Sequence, residues 1–172
     1  VPNEQSARQK NKGIWTSDFI YPWDWRRGKG FSNSHAHVVS ASYGDGTYTG
    51  ELLGGTPHGQ GDWTFPDGRK FVGGFRNGNF HGYFNARFSD GSSYIGYYSN
   101  GLREGQGTRT KKDGSTYVGK YLNDKRHGKG TRTYADGSKF VGEYKNGKRW
   151  AGTEYDGGGK VTATFQEGVR ME

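Results

Sequence analysis

A triplet of aromatic, any residue and glycine recurs at Tyr48-Thr49-Gly50, Phe71-Val72-Gly73, Tyr94-Ile95-Gly96, Tyr117-Val118-Gly119 and Phe140-Val141-Gly142, each 23 residues after the one before. A period this strict restricts the chain to a repeat architecture, in which one small unit is stacked against its copies. Two residues past each glycine stands Leu52, Phe75, Tyr98, Tyr121 or Tyr144. First ring, glycine and second residue share one parity, so in an extended chain they project from one face. The unit contains a strand.

Each such strand runs into a tight-turn signal: Gly54-Gly55, Asn77-Gly78, Asn100-Gly101, Asn123-Asp124 and Asn146-Gly147. These residues accept the positive φ that two-residue hairpin turns require. A second column follows as His58-Gly59-Gln60-Gly61, His81-Gly82, Glu104-Gly105-Gln106-Gly107 and His127-Gly128-Lys129-Gly130, and then a second turn at Asp67-Gly68, Asp90-Gly91, Asp113-Gly114 or Asp136-Gly137. The unit reads strand, Asn-Gly turn, strand, Asp-Gly turn, which leaves little room in 23 residues for a helix.

Glycine inside a strand weakens it, so its recurrence at 50, 73, 96, 119 and 142 needs a physical reason. The spacing predicts that each missing side chain opens a slot for the ring of an adjacent strand. One layer of sheet could then bury rings without a second layer above it. Composition points the same way: 29% hydrophobic residues and 32 glycines are too lean for a thick core, whereas 16% aromatics are too many for a disordered glycine-rich chain.

The pattern decays toward both ends. Val161, Ala163 and Phe165 fall in the ring, glycine and ring columns with Glu167-Gly168 in the turn column, and Trp150-Ala151 replaces His-Gly, which reads as a capping half-repeat. Before Tyr48, residues 38–43 carry Val39, Ala41 and Tyr43 on one parity and are a strand candidate, and Arg27-Gly28-Lys29-Gly30 only resembles the second column. The organisation is therefore a flexible tail at 1–12, an aromatic cap or degenerate repeat at 13–44, about five units and a half-repeat at 45–168, and a tail at 169–172. Within 13–44 the cluster Trp15, Phe19, Tyr21, Trp23 and Trp25 is read as a cap on an open sheet edge, with an interfacial or partner-binding patch as the alternative.

Tyr-x-Gly-x-Tyr, Asn-Gly, His-Gly-x-Gly and Asp-Gly in phase resemble MORN (membrane occupation and recognition nexus) repeats over about residues 45–168. The resemblance implies an all-β fold: an elongated, right-handed twisted, single-layer antiparallel sheet of tandem β-hairpins with a concave, aromatic-lined groove. Three departures stand out. Phe84 takes the place of a second-column glycine, Glu104 replaces histidine, and Lys111 occupies the column of Phe65, Phe88 and Tyr134.

No chemistry of catalysis is visible. The glycine-rich segments lack the Gly-Lys-Ser/Thr ending of a phosphate loop, no Gly-x-Ser-x-Gly elbow occurs, and the recurring Asp-Gly pairs are explained by turns. The column His58, His81 and His127 spaces its imidazoles roughly 10 Å apart across a sheet, too far to share a metal whose bonds are about 2 Å. His35-Ala36-His37 lacks a third ligand. With no cysteine, thiolate sites and disulfides are excluded. No catalytic residue, metal site or cofactor is expected.

A non-enzymatic binding or scaffold module follows, taking a protein partner or a second copy through an aromatic-lined groove or a sheet edge. The groove candidates are Phe75, Tyr94, Tyr98, Tyr117, Tyr121, Phe140 and Tyr144, whose other role is core. Charge suggests an alternative. Residues 101–150 carry 13 Lys or Arg against 5 acids, an excess equal to the net +8 of the whole chain. Lys111, Lys112, Lys125, Arg126, Lys129, Lys145, Lys148 and Arg149 would serve an acidic partner or the headgroups of an acidic phospholipid membrane. Nucleic acid ranks third, since no recognised nucleic-acid fold accompanies the charge. An accessory domain of a larger enzyme is a further class. No stretch has the length and apolarity of a transmembrane span, and localisation stays open, with a soluble, cytoplasmic position peripheral to a membrane as one reading.

Overall fold

The computed structural model describes residues 38–172. The tail at 1–12, the Trp15 to Trp25 cluster, Arg27 to Gly30 and the His35, His37 pair all lie outside the described residues. What is described is strand after strand with no helix: β1 (Val38–Tyr43), β2 (Gly46–Leu53), β3 (Thr56–Thr64), β4 (Lys70–Arg76), β5 (Asn79–Arg87), β6 (Ser93–Ser99), β7 (Leu102–Thr110), β8 (Thr116–Leu122), β9 (Lys125–Thr133), β10 (Lys139–Lys145), β11 (Lys148–Tyr155), β12 (Val161–Gln166) and β13 (Val169–Met171). They form one open antiparallel sheet in chain order, each strand bonded to the next. Residues 169–172, read above as a tail, contribute β13, a short edge strand whose Val169 and Met171 are exposed.

Two kinds of turn alternate, each for a local reason. Between β6 and β7, Asn100 and Gly101 both have positive φ, 49° and 83°, the two-residue geometry whose twist matches that of the flanking strands. Between β7 and β8 the Ser115 N–H is held by the Asp113 carboxylate at 2.9 Å, while the Gly114 N–H donates to the Lys111 carbonyl at 3.0 Å. The aspartate side chain thus completes a turn the backbone alone leaves open. The same aspartate bond recurs at Asp67, Asp90 and Asp136.

The rings need the glycines, in a way slightly different from expectation. Tyr94 lies across Gly96 of its own strand and Gly107 of the next, where a Cβ on Gly107 would meet the ring within 2.3 to 2.6 Å. Its hydroxyl donates to the Tyr97 carbonyl at 3.2 Å. Tyr48 and Tyr117 repeat this over their own glycine pairs. The first glycine is therefore covered by a ring of its own strand and not, as the spacing predicted, of an adjacent one, because side chains lean along the strand direction; it is the second glycine that is covered from the neighbouring strand. Gly73 is the exception. There the ring belongs to Phe84, the residue standing in place of the second glycine, 2.6 Å from where a Cβ would be.

Glycine-cleared strands let rings two strands apart touch. The contacts run edge to face from Tyr48 to Phe75 (5.1 Å), Phe84 (5.3 Å), Tyr98 (5.3 Å), Tyr94 (5.2 Å), Tyr121 (5.4 Å), Tyr117 (5.3 Å), Tyr144 (5.1 Å), Phe140 (5.3 Å) and Phe165 (5.4 Å). Each edge-to-face pair contributes about 0.5–1.5 kcal/mol beyond the area it buries. This ladder is the core, and it occupies one face of the sheet. The opposite face carries a row of Thr108, Val118, Thr131 and Val141 in register, with Val118 and Val141 exposed. The capping half-repeat closes the ladder with Ala163 buried and Phe165 against Phe140.

Candidate functional site

All seven rings read as groove residues, Phe75, Tyr94, Tyr98, Tyr117, Tyr121, Phe140 and Tyr144, stand in the buried ladder, none more than 8% exposed. What a partner would meet on that face is set by the residues lying over them. These come from the strands that follow each Asn-Gly turn. In β7 the pairing Tyr94↔Arg109, Gly96↔Gly107 and Tyr98↔Arg103 puts two arginines on the ring side. A bulge between Gly96 and Tyr98 absorbs two extra residues of β7, with Gly105 at φ 69°. An even number of extra residues leaves the face unchanged, so Arg103 and Arg109 flank the glycines on one side.

The column of Arg103 is Pro57, Phe80, Arg103, Arg126 and Arg149, and that of Arg109 is Trp63, Ala86, Arg109 and Arg132. Toward the N-terminus these positions add a second apolar layer. Phe80 sits against Phe71 (4.9 Å), Phe84 (4.7 Å) and Tyr98 (5.5 Å), and Trp63 against Phe65 (5.0 Å). From β7 onward the same positions hold guanidinium groups over rings. Arg103 lies 4.9 Å from the Tyr121 ring centre, Arg126 4.9 Å from Tyr144, Arg149 5.1 Å from Phe140, Arg109 4.6 Å from Phe88 and Arg132 4.5 Å from Tyr134. The quadrupole of each ring attracts the cation and orients its plane.

These arginines differ in how well they are neutralised. Arg103 donates from Nε to the Asp124 carboxylate at 2.8 Å and from Nη2 to the Asp124 carbonyl at 3.0 Å. Burial works against its charge, but the Asp124 carboxylate outweighs that and holds the guanidinium above its ordinary pKa. One repeat later Gly147 occupies the place of Asp124, so Arg126 has only a carbonyl, at 2.8 Å. Arg149 pairs with Glu154 and donates to the Tyr134 hydroxyl. Arg109 donates to the Ser92 hydroxyl at 2.9 Å. Among the described residues Arg109, Arg126 and Arg132 make no ion pair with a carboxylate. They converge with Arg103 on a cavity of about 400 Å³ floored by Tyr117 and Tyr121.

The tyrosines beneath are chemically quiet. Burial raises the phenol of Tyr98 to about 12, and burial likewise raises those of Tyr94, Tyr117, Tyr121 and Tyr144. They remain neutral, as ring faces that attract cations.

The eight basic residues singled out in the sequence divide between surfaces. Arg126 and Arg149 are on the ring face, and Lys111 lines the cavity. Lys111 and Lys112 also line a second hollow of about 560 Å³ beside Arg109. Lys125 stands at the rim of the first cavity. Lys129, Lys145 and Lys148 alternate to the opposite face, where Lys145 lies over Trp150 at 4.3 Å. Arg103, Arg109 and Arg132 were missed by residue-level reading. Their signal was the shared column with Pro57, Phe80 and Trp63, visible once the bulge is counted.

Among the described residues no three metal-ligating side chains cluster. The Nδ1 atoms of His58, His81 and His127 are buried with no hydrogen-bond partner among the described residues. Among the described residues no helix is long and apolar enough to cross a membrane.

A family model for the MORN repeat matches residues 48–68, 71–83, 94–116, 117–139 and 140–150, together more than half of the chain. The second match stops one residue before Phe84, where the glycine column is interrupted. Comparison with curated proteins finds no match.

Proposed function

This chain belongs to the MORN repeat family, and on that basis we propose that it is a non-enzymatic binding or scaffold module taking a protein partner on the ring face of β6 to β11. The observation that carries this reading is the change along one column, from Phe80 to Arg126. A ring at that position adds burial to the core. A guanidinium without a carboxylate adds little to stability, about 0.5–1 kcal/mol from the ring beneath it, and leaves donors free for a ligand. The rings named as groove residues act as the floor that orients those donors.

Capture of partners from native lysate tests this with two charge-reversed variants, Arg126→Glu with Arg132→Glu on the ring face and Lys129→Glu with Lys148→Glu on the opposite face. The reading requires that specific captured proteins are lost with the first pair and kept with the second. Loss with the second pair alone contradicts it.

A second reading rests on the exposed lysines Lys129, Lys145 and Lys148, which could meet acidic phospholipid headgroups at about 1 kcal/mol each. Vesicle co-sedimentation that falls with salt and with Lys129→Glu/Lys148→Glu supports it; binding flat across ionic strength removes it.

A further inference from the structure

The ring-face arginines form rows, and the rows have a period. Arg103, Arg126 and Arg149 occupy one column and Arg109 and Arg132 another, each step crossing two strands. At about 4.8 Å per strand, successive arginines of a row are about 10 Å apart. The two rows are six residues apart on β7 and on β9 but pair with residues four apart on β6 and β8, so once the bulge is allowed for they lie roughly 13 Å apart along the strand. Among the described residues Arg109, Arg126 and Arg132 make no ion pair, on a face where Asp124 and Glu154 are already engaged by Arg103 and Arg149; Asp90 and Asp113 feel the charge of Arg109 and Arg132 without pairing with them.

We infer that this face recognises an acidic α-helix lying across the strands, with Glu or Asp at i and i+7. This deepens the protein-binding reading above and rests on it. A helix rises about 1.5 Å per residue, so i and i+7 are about 10.5 Å apart and nearly on one face. In an extended peptide, residues about 10 Å apart are three positions apart and point to opposite sides, so only alternate arginines of a row would find a carboxylate. A helix is about 10–12 Å wide with its side chains, which fits between the two rows with each within reach of long guanidinium side chains. A guanidinium whose plane is set by a ring offers a two-pronged donor matched to a carboxylate. A compact polyanion could engage the cavity at Arg126 and Arg132 but would not span the two rows along their length.

The test is fluorescence anisotropy with the full chain and four probes. The first is a cross-linked helical peptide of about 18 residues with Glu at i, i+7 and i+14. The second has the same composition with Glu at i, i+5 and i+10. The third is a proline-rich peptide with Glu at every third residue, which repeats at about 9.3 Å in an extended left-handed helix. The fourth is a soluble inositol polyphosphate. The heptad-spaced helix is expected to bind at least about tenfold tighter than the second and third probes. Arg126→Gln with Arg132→Gln should weaken it about tenfold or more, and Lys129→Gln with Lys148→Gln should change it less than about twofold. Should the glutamine pair disturb the fold by circular dichroism, Arg126→Lys with Arg132→Lys keeps charge and length and should still cost about threefold, through loss of the forked donor. Equal binding of the re-spaced helix, tighter binding of the proline-rich peptide or the polyphosphate, or binding that survives these ring-face variants overturns the inference. If ring-face variants abolish binding of both helices equally, the helix register fails while the ring face stands as the binding surface; if only the opposite-face variants matter, both fail.

Discussion

The hairpins β2 to β5 and the hairpins β6 to β11 share turns, glycine slots and the ring ladder, yet they finish the ring face differently. In the first, Pro57, Trp63, Phe65 and Phe80 cover the rings with more apolar surface. In the second, Arg103, Arg109, Arg126, Arg132 and Arg149 cover them with charge. The magnitudes explain why this is tolerated. Burying a large apolar side chain contributes about 1.5–3 kcal/mol, and a ring pair adds about 0.5–1.5 kcal/mol. The later ladder, with five tyrosines, Phe140 and Phe165 in unbroken contact, holds without a lid. The lid position is thereby released from the core, which is what the proposed recognition surface requires.

The largest effect is expected where the early hairpins depart most from the repeat. Phe84 is fully buried between Phe75, Phe80 and Tyr98, so Phe84→Ala should cost about 3–5 kcal/mol in a denaturant titration. A cost under about 1 kcal/mol would mean that the glycine column, not the ring, holds β4 to β5. In the later hairpins the converse change is the damaging one. Gly107→Val drives a side chain into the Tyr94 ring and should cost about 3 kcal/mol. Gly82→Ala, with open space but φ 95°, should cost only about 1 kcal/mol.

Alkaline pH should separate the two regions. Burial raises five phenols in the later hairpins, Tyr94, Tyr98, Tyr117, Tyr121 and Tyr144, and two in the early ones, Tyr48 and Tyr83. Between the ordinary tyrosine value of 10.0 and the roughly 12 of folded Tyr98, the unfolded chain has lost phenolic protons that the folded chain retains. The unfolded state then binds fewer protons, so stability is present below pH 10 and falls as pH rises through that window. Hydrogen exchange should show β6 to β11 opening at lower pH than β2 to β5. Simultaneous opening, or an earlier loss of the early hairpins, would contradict the division. The smallest effect is Arg126→Ala, expected at about 1 kcal/mol or less in stability.

Much of this was legible in the residues. Period, parity and turn chemistry specified the hairpin unit because each is local: Asn100-Gly101 and Asp113 set their own turns with their own atoms. The ring ladder followed from Tyr-x-Gly-x-Tyr, although the ring over Gly96 comes from its own strand and not from across. The arginine lid was not legible by charge counting. The excess in residues 101–150 mixes Arg126, on the rings, with Lys129, on the other face. Only cross-strand register, including the bulge beside Gly105, tells them apart, and register is a non-local property.

The exchange of one residue between the two regions tests the account most directly. Arg126→Phe gives the later column the ring that Phe80 supplies in the early one. Measured on the same sample by denaturant titration and by binding of the heptad-spaced acidic helix, stability should rise by about 1 kcal/mol while the peptide affinity falls about tenfold. A variant that is less stable, or that binds as tightly as before, would show that Arg126 belongs to the structure and not to a recognition surface.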